Sequence, residues 1–271
     1  MKKNEFATFV AYLAMFGVAI LIGLTWLRPV ISTTGSSLGI HYVLLVILSL
    51  VAGVLLNSLI IELGHLLGAK TGKYEVRSWT VLFFGWKIKD GKKKWGFSQF
   101  DGLSGETKLK PTDPEKSSLS GYIAFPLLFL LLEVIVCAFM IAISRRLQAS
   151  TDEAVAGIAW MEIFALVLLG TAAMLYIYNL FPARLETVND GYLMLVLSKP
   201  INKVAYNNML LAEAIADEGG EMKELPVYDT VTDFTYRINL VSVYRNLEKG
   251  ESHKAILILD KAIDTDKGLS S

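Results

Sequence analysis

Cysteine and histidine are scarce in this chain of 271 residues, which has one of the first and three of the second. The single cysteine, Cys137, excludes an intramolecular disulfide and a metal site built from several thiolates, and it suits a small apolar position in a helix bundle. The 26 basic residues balance 26 acidic ones. No basic domain stands out, so we expect no nucleic-acid partner.

Long hydrophobic runs are abundant, since 53% of the residues are hydrophobic. Four blocks, at about 6–26, 40–66, 123–143 and 154–181, reach the roughly 20 residues that a helix needs to cross a bilayer. The sequence therefore predicts an all-α polytopic membrane protein with four transmembrane helices. The first block follows two lysines but lacks a small-residue cleavage pattern, so we expect a retained anchor.

The distribution of basic residues predicts the topology. Eleven lysines and arginines lie between residues 70 and 116, whereas the loop between the first two blocks contains only Arg28. Basic loops tend to remain on the cytoplasmic side. We therefore expect an integral protein of the cytoplasmic (plasma) membrane with both termini inside, although Arg145 and Arg146 would lie outside.

The segments outside the blocks predict two smaller units. Two β-rich runs flank Asp90-Gly91, which indicates a cytoplasmic β-hairpin at about 78–100. The glycine- and proline-rich stretch 101–116 is typical of a loop. We divide the chain into a membrane domain, 1–198, and a cytoplasmic helical tail, 199–271. A helix, a turn at Gly250 and a second helix there resemble one tetratricopeptide hairpin, for which partner binding and mere solubilisation are both open.

The stretch NSLIIELGHLLGAKTG, residues 57–72, places two ionisable residues inside an apolar block. Glu62 and His65 are three residues apart and share one helix face. A charge within such a block costs on the order of 3 kcal/mol, which favours a functional role. The zinc-protease signature has two histidines four residues apart, with the glutamate as general base. Here Ile61 stands at the first histidine position, and a buried polar pair joining two helices is the structural alternative.

Three motifs in the same order carry a family resemblance: ELGH at 62–65, NLFP at 179–182 and DG at 190–191. Together they resemble the site-2 protease family of intramembrane zinc metalloproteases. The resemblance implies that Glu62 is the general base, that His65 and Asp190 bind zinc, and that Asn179 lies near the substrate or the oxyanion. It also implies a membrane-anchored substrate that pairs with the hairpin. Ile61 marks the position of the missing ligand.

Two departures from the family pattern affect this metal site. Seven residues separate Pro182 from Asp190, and the side chain of Ile61 cannot bind a metal. His41 precedes His65 by 24 residues, about 36 Å along a helix, and His253 could reach the site only if the tail folded back. If Glu62 became a ligand, the site would lose its base.

We therefore expect a site-2-protease-like protein with impaired or lost proteolysis. It would bind or regulate a membrane-anchored protein or peptide, with a cytosolic partner as an option for the tail. Its cofactor would be zinc if the site is occupied, and otherwise none. The alternative is an active zinc metalloprotease with an altered metal site that cleaves a membrane-anchored peptide.

Overall fold

Four long apolar helices form a bundle in the computed structural model, which describes residues 3–28, 39–89, 91–97, 104–150, 156–182, 188–220 and 225–265. All four are long and apolar enough to cross a membrane, which confirms the predicted number of such helices. They are α1 (Lys3–Ile22, extended by the π-helical Gly23–Leu27), α2 (Gly39–Thr71), α3 (Ser120–Ala149) and α4 (Ala156–Leu180).

Glycines on α2 allow the neighbouring helices to approach closely. A Cβ atom on Gly64 would lie 2.7 Å from the backbone nitrogen of Pro126, and one on Gly68 would collide with the backbone at Tyr122. Small residues at helix contacts allow this approach in apolar bundles. The two contacts fix α2 and α3 as antiparallel neighbours in one register.

A four-stranded antiparallel sheet follows α2. Its strands are β1 (Tyr74–Val81), β2 (Phe84–Lys89), β3 (Lys92–Phe97) and β4 (Gly105–Pro111), in the order β3-β2-β1-β4. The hairpin of β2 and β3 is confirmed, with Lys89 opposite Lys92. Asp90 itself lies outside the described residues.

The sequence-based prediction of this region was wrong in two respects. The run before Asp90 is broken into β1 and β2 at Leu82, which has a positive φ of 54°. The predicted loop at 101–116 contains β4, which pairs with β1. The flanking glycine and proline residues conceal an alternation in which Thr107 and Leu109 are buried while Lys108 is exposed.

The sheet lies alongside the second half of α2. The indole Nε1 of Trp79 donates a hydrogen bond of 3.0 Å to the backbone oxygen of Glu62. Glu62 lies nine residues before the end of α2 at Thr71, so β1 runs back along the helix. This return brings the start of β4 to the Glu62 side chain.

Within the described part of the chain after α4, four further helices follow: α5 (Asp190–Leu197), α6 (Pro200–Asp217), α7 (Asp233–Glu248) and α8 (Ser252–Thr265). The turn between α7 and α8 at Gly250 confirms the predicted helix-turn-helix. Asn207 on α6 accepts a 2.6 Å hydrogen bond from the Tyr74 hydroxyl and donates to the backbone oxygens of Pro114 and Ser117. The tail thus packs on the sheet through buried polar contacts.

Candidate functional site

Glu62 is buried where α2 meets the sheet, with 1% of its surface exposed. Its Oε1 accepts a 2.9 Å hydrogen bond from the Ser104 hydroxyl, and its Oε2 accepts one of 2.8 Å from the Thr107 hydroxyl. Hydrogen bonds from hydroxyls offset part of the cost of burying a carboxylate. The carboxyl group therefore joins α2 to β4.

Asp190 is held in place by its two neighbours in sequence. The side chain of Asn189 caps α5 by accepting a hydrogen bond from the backbone N–H three residues later, and it donates one of 2.9 Å to the backbone oxygen of Phe181. A Cβ atom on Gly191 would collide with the carbonyl of Leu180. Asn189 and Gly191 thus allow α5 to start against the end of α4.

His65 lies between the two carboxyl groups. Its Nε2 is 2.9 Å from Oδ2 of Asp190, and its Nδ1 is 3.4 Å from Oε2 of Glu62. The ring stacks on Tyr122 with a centroid distance of 4.1 Å and an interplanar angle of 5°. The structure thus places Glu62, His65 and Asp190 in one site, although 125 residues separate His65 from Asp190.

Ile61 points into an apolar cluster. Its side chain is 1% exposed and packs with Ala172, Leu175 and Tyr176 of α4. A core position of this kind is close-packed, and a polar side chain there would need a partner. The position at which the zinc-protease signature has its first histidine is therefore part of the contact between α2 and α4.

The donor set does not fit a catalytic zinc site with three protein ligands. His65 Nε2 and Asp190 face each other, but Glu62 lies at the other ring nitrogen, and two hydroxyls already bind its oxygens. Within the described ranges, no three His, Cys, Asp or Glu side chains are grouped so as to hold a metal. His253 is exposed on α8, and His41 lies near the start of α2, far from His65.

A cavity of about 480 Å³ adjoins these residues. One wall is formed by the consecutive residues 104–109 of β4 and the turn before it. The opposite wall belongs to α6 and α7 and includes Tyr206, Met209, Phe234 and Arg237. Asn179 also lines the cavity, and its buried Nδ2 has no hydrogen-bond partner among the residues that the structure describes.

No match was found when the chain was compared with models of protein families, with curated proteins and with solved structures. The functional argument therefore rests on the residues and their geometry.

Ion pairs outside the bundle hold the end of α6 against the sheet. Glu218 lies 2.9 Å from the amino group of Lys110 and 2.8 Å from the guanidinium of Arg77. The hydrogen bond from Lys110 lowers the pKa of Glu218. Glu213, one turn earlier, faces the cavity, and desolvation raises the pKa of its carboxyl group. The cavity wall therefore contains charges of both signs.

Sequence analysis found Glu62, His65, Asp190 and Asn179 but missed the residues that position them. Ser104 and Thr107 belong to a stretch taken for a loop. Asn189 could have been found, because asparagine before an apolar run is typical of a helix N-cap. Nothing local marks Tyr122 as the stacking partner of His65.

Proposed function

We propose that this chain is a site-2-protease-like membrane protein that binds a membrane-anchored protein segment and has lost zinc-dependent proteolysis. In this proposal the four long helices span the membrane and both termini are cytoplasmic, in keeping with the eleven basic residues at 70–116. The packing of Ile61 against α4 carries the proposal, because it fills the ligand position with an apolar contact.

The edge of β4 that faces away from β1 supports the binding role. Within the described residues, β4 has a strand neighbour only on its β1 side, and residues 104–109 line the cavity. An unpaired strand edge can add an extended peptide as a further strand. Asn179 offers a buried donor without an acceptor, which suits a backbone oxygen of such a peptide.

Glu62 has a structural role in this proposal. Its carboxyl group binds two hydroxyls near the start of β4, Ser104 and Thr107. It thereby fixes the strand that forms the binding edge. His65 and Asp190 connect that corner to the start of α5. The former catalytic residues would then position the binding edge, and no cofactor is needed.

Site-specific photocrosslinking in native membranes tests the binding role. We expect a photoreactive amino acid at Lys108, on β4, to capture a membrane-anchored protein. The same group at Phe139, which is 65% exposed on α3, serves as the control for lipid-facing positions. Equal capture at both positions, or none at Lys108, would contradict the proposal.

Cleavage of a membrane-anchored reporter separates binding from proteolysis. We expect no cleavage by the unmodified chain and no change with Glu62→Gln. The variant Ile61→His restores the missing ligand type and should raise the zinc content measured by elemental mass spectrometry. Cleavage by the unmodified chain that Glu62→Gln abolishes would show that the alternative, an active protease, is correct.

A further inference from the structure

A second buried carboxyl group lies in the interior of the helix bundle. Glu133 occupies the middle of α3, with 6% of its surface exposed. Neither of its carboxyl oxygens has a hydrogen-bond partner, and Glu133 forms no ion pair with any residue that the structure describes. A carboxylate without a donor or a counter-charge is costly to bury.

The register of the bundle places Glu133 beside Asn57. Gly64 on α2 meets Pro126 on α3, and the helices run antiparallel. Asn57 lies seven residues before Gly64, and Glu133 lies seven residues after Pro126, which is about two turns in each case. The amide group of Asn57 thus lies close enough to the carboxyl group of Glu133 to affect its protonation, although the two side chains form no hydrogen bond of regular geometry.

The amide group of Asn57 has a fixed orientation. Its Nδ2 lies 3.0 Å from the oxygen of Gly53, 3.1 Å from that of Leu168 and 3.0 Å from Oγ1 of Thr171. The Thr171 hydroxyl lies within hydrogen-bonding distance of carbonyl oxygens of its own helix, so it accepts from Asn57. A flipped amide would place its oxygen against these acceptors. The Oδ1 atom must therefore point away from these three acceptors. It is buried and has no hydrogen-bond partner among the described residues.

This location thus contains three buried oxygen atoms, two on Glu133 and one on Asn57, and none of them has a hydrogen-bond partner of regular geometry among the described residues. The titratable groups that interact electrostatically with Glu133 are Cys137 on its own helix and Tyr176 on α4. A thiol and a phenol carry no positive charge. A hard metal cation takes about six or more oxygen ligands, twice the number available here. One proton on Glu133 would supply the missing hydrogen-bond donor, because a protonated carboxyl group is a donor.

We propose that Glu133 and Asn57 form a proton-binding site within the bundle. The carboxyl group takes one proton from water and donates it in a hydrogen bond to Oδ1 of Asn57, so that its charge changes from −1 to 0. Because Asn57 already binds α4 through Leu168 and Thr171, the bound proton completes a polar link between α2, α3 and α4. The site is independent of the proposed function.

Infrared spectroscopy of the full-length protein in lipid membranes tests this site. At neutral pH we expect a carboxylic-acid C=O band that D2O shifts to lower frequency and that Glu133→Gln removes. Asn57→Ala should move the band to higher frequency, because its hydrogen bond is lost. The matched control is Glu162→Gln, which should leave the band unchanged. Glu162 is a buried carboxylate paired with Arg145 at 2.8 Å.

Three outcomes would overturn the proposal. The band could be absent from the unmodified protein at neutral pH, could persist in Glu133→Gln, or could appear only when sodium is replaced by choline, which would indicate a metal cation. Thermal unfolding gives a second readout if one variant folds poorly. Glu133→Gln should keep most of the stability because its amide can donate to Asn57, whereas Glu133→Ala should lose it. Equal losses in both variants would contradict the site.

Discussion

Glu62 and Glu133 are both buried carboxyl residues on long apolar helices, but their surroundings differ. Glu62 receives hydrogen bonds from two hydroxyls of the sheet region and lies beside His65. Glu133 faces other helices and finds no donor. The difference shows what the sheet contributes. Where β4 returns to α2, it brings polar side chains into an apolar region, and a charge can remain there. Inside the bundle, only a change in protonation removes the charge.

The largest effect should come from removing Glu62. Glu62→Leu leaves the Ser104 and Thr107 hydroxyls and His65 without their common partner, and we expect a loss of about 3–5 kcal/mol in the free energy of unfolding. Denaturant titration of the purified protein would measure it. Glu133→Leu, the matched change, should cost about 1–3 kcal/mol through the Asn57 oxygen alone. Equal costs would remove the distinction between the two sites.

The close contact between the helices should give the next largest effect. Gly64→Ala places a Cβ atom 2.7 Å from the nitrogen of Pro126, next to Glu62 and His65 on the same helix. Overpacking of this kind costs about 1–3 kcal/mol. Gly170→Ala is the control, because its Cβ would lie 3.6 Å from Ile22, an ordinary contact. Thermal melts in which both variants match the unmodified protein would show that the helices can shift apart.

A smaller effect should follow from removing one donor to Glu62. Thr107→Val keeps the shape but deletes the 2.8 Å hydrogen bond to Oε2. Hydrogen bonds to charged groups contribute about 1.5–3 kcal/mol. Thr112→Val deletes an exposed hydrogen bond of 2.9 Å to the backbone oxygen of Lys73 and should cost less, about 0.5–1.5 kcal/mol. Unfolding titrations that reverse this order would argue against a strong hydrogen bond between Thr107 and Glu62.

The smallest effect concerns the exposed link between α6 and the sheet. In the folded state the hydrogen bond from Lys110 lowers the pKa of Glu218. The contribution of Glu218 to the free energy of unfolding is therefore present above its pKa in the unfolded chain, about 4.3, and is lost as the pH falls through its pKa in the folded state. Glu218→Gln should therefore reduce stability at neutral pH by less than about 1 kcal/mol and have no effect in acid. Melting curves across this pH range would show the change, with Glu248→Gln as an exposed control.

The sequence predicted the helices of the bundle well because their signal is local. A run of about 20 apolar residues needs no partner to be recognised, and the hairpin between β2 and β3 follows from two turn residues. Strand β4 was missed because its pairing with β1 depends on residues about 30 positions away. Its own composition resembles that of a loop.

The sequence by itself determined four apolar helices, the spacing of Glu62 and His65 on one helix face, and the absence of a histidine at Ile61. Only the tertiary structure decided which groups surround each carboxyl. It placed Asp190 on one nitrogen of His65 and Glu62 on the other, packed Ile61 against α4, and left the carboxyl group of Glu133 buried without a hydrogen-bond partner among the described residues. The physical reason is that helix periodicity fixes the face of a residue, whereas its partners depend on the register between elements distant in sequence.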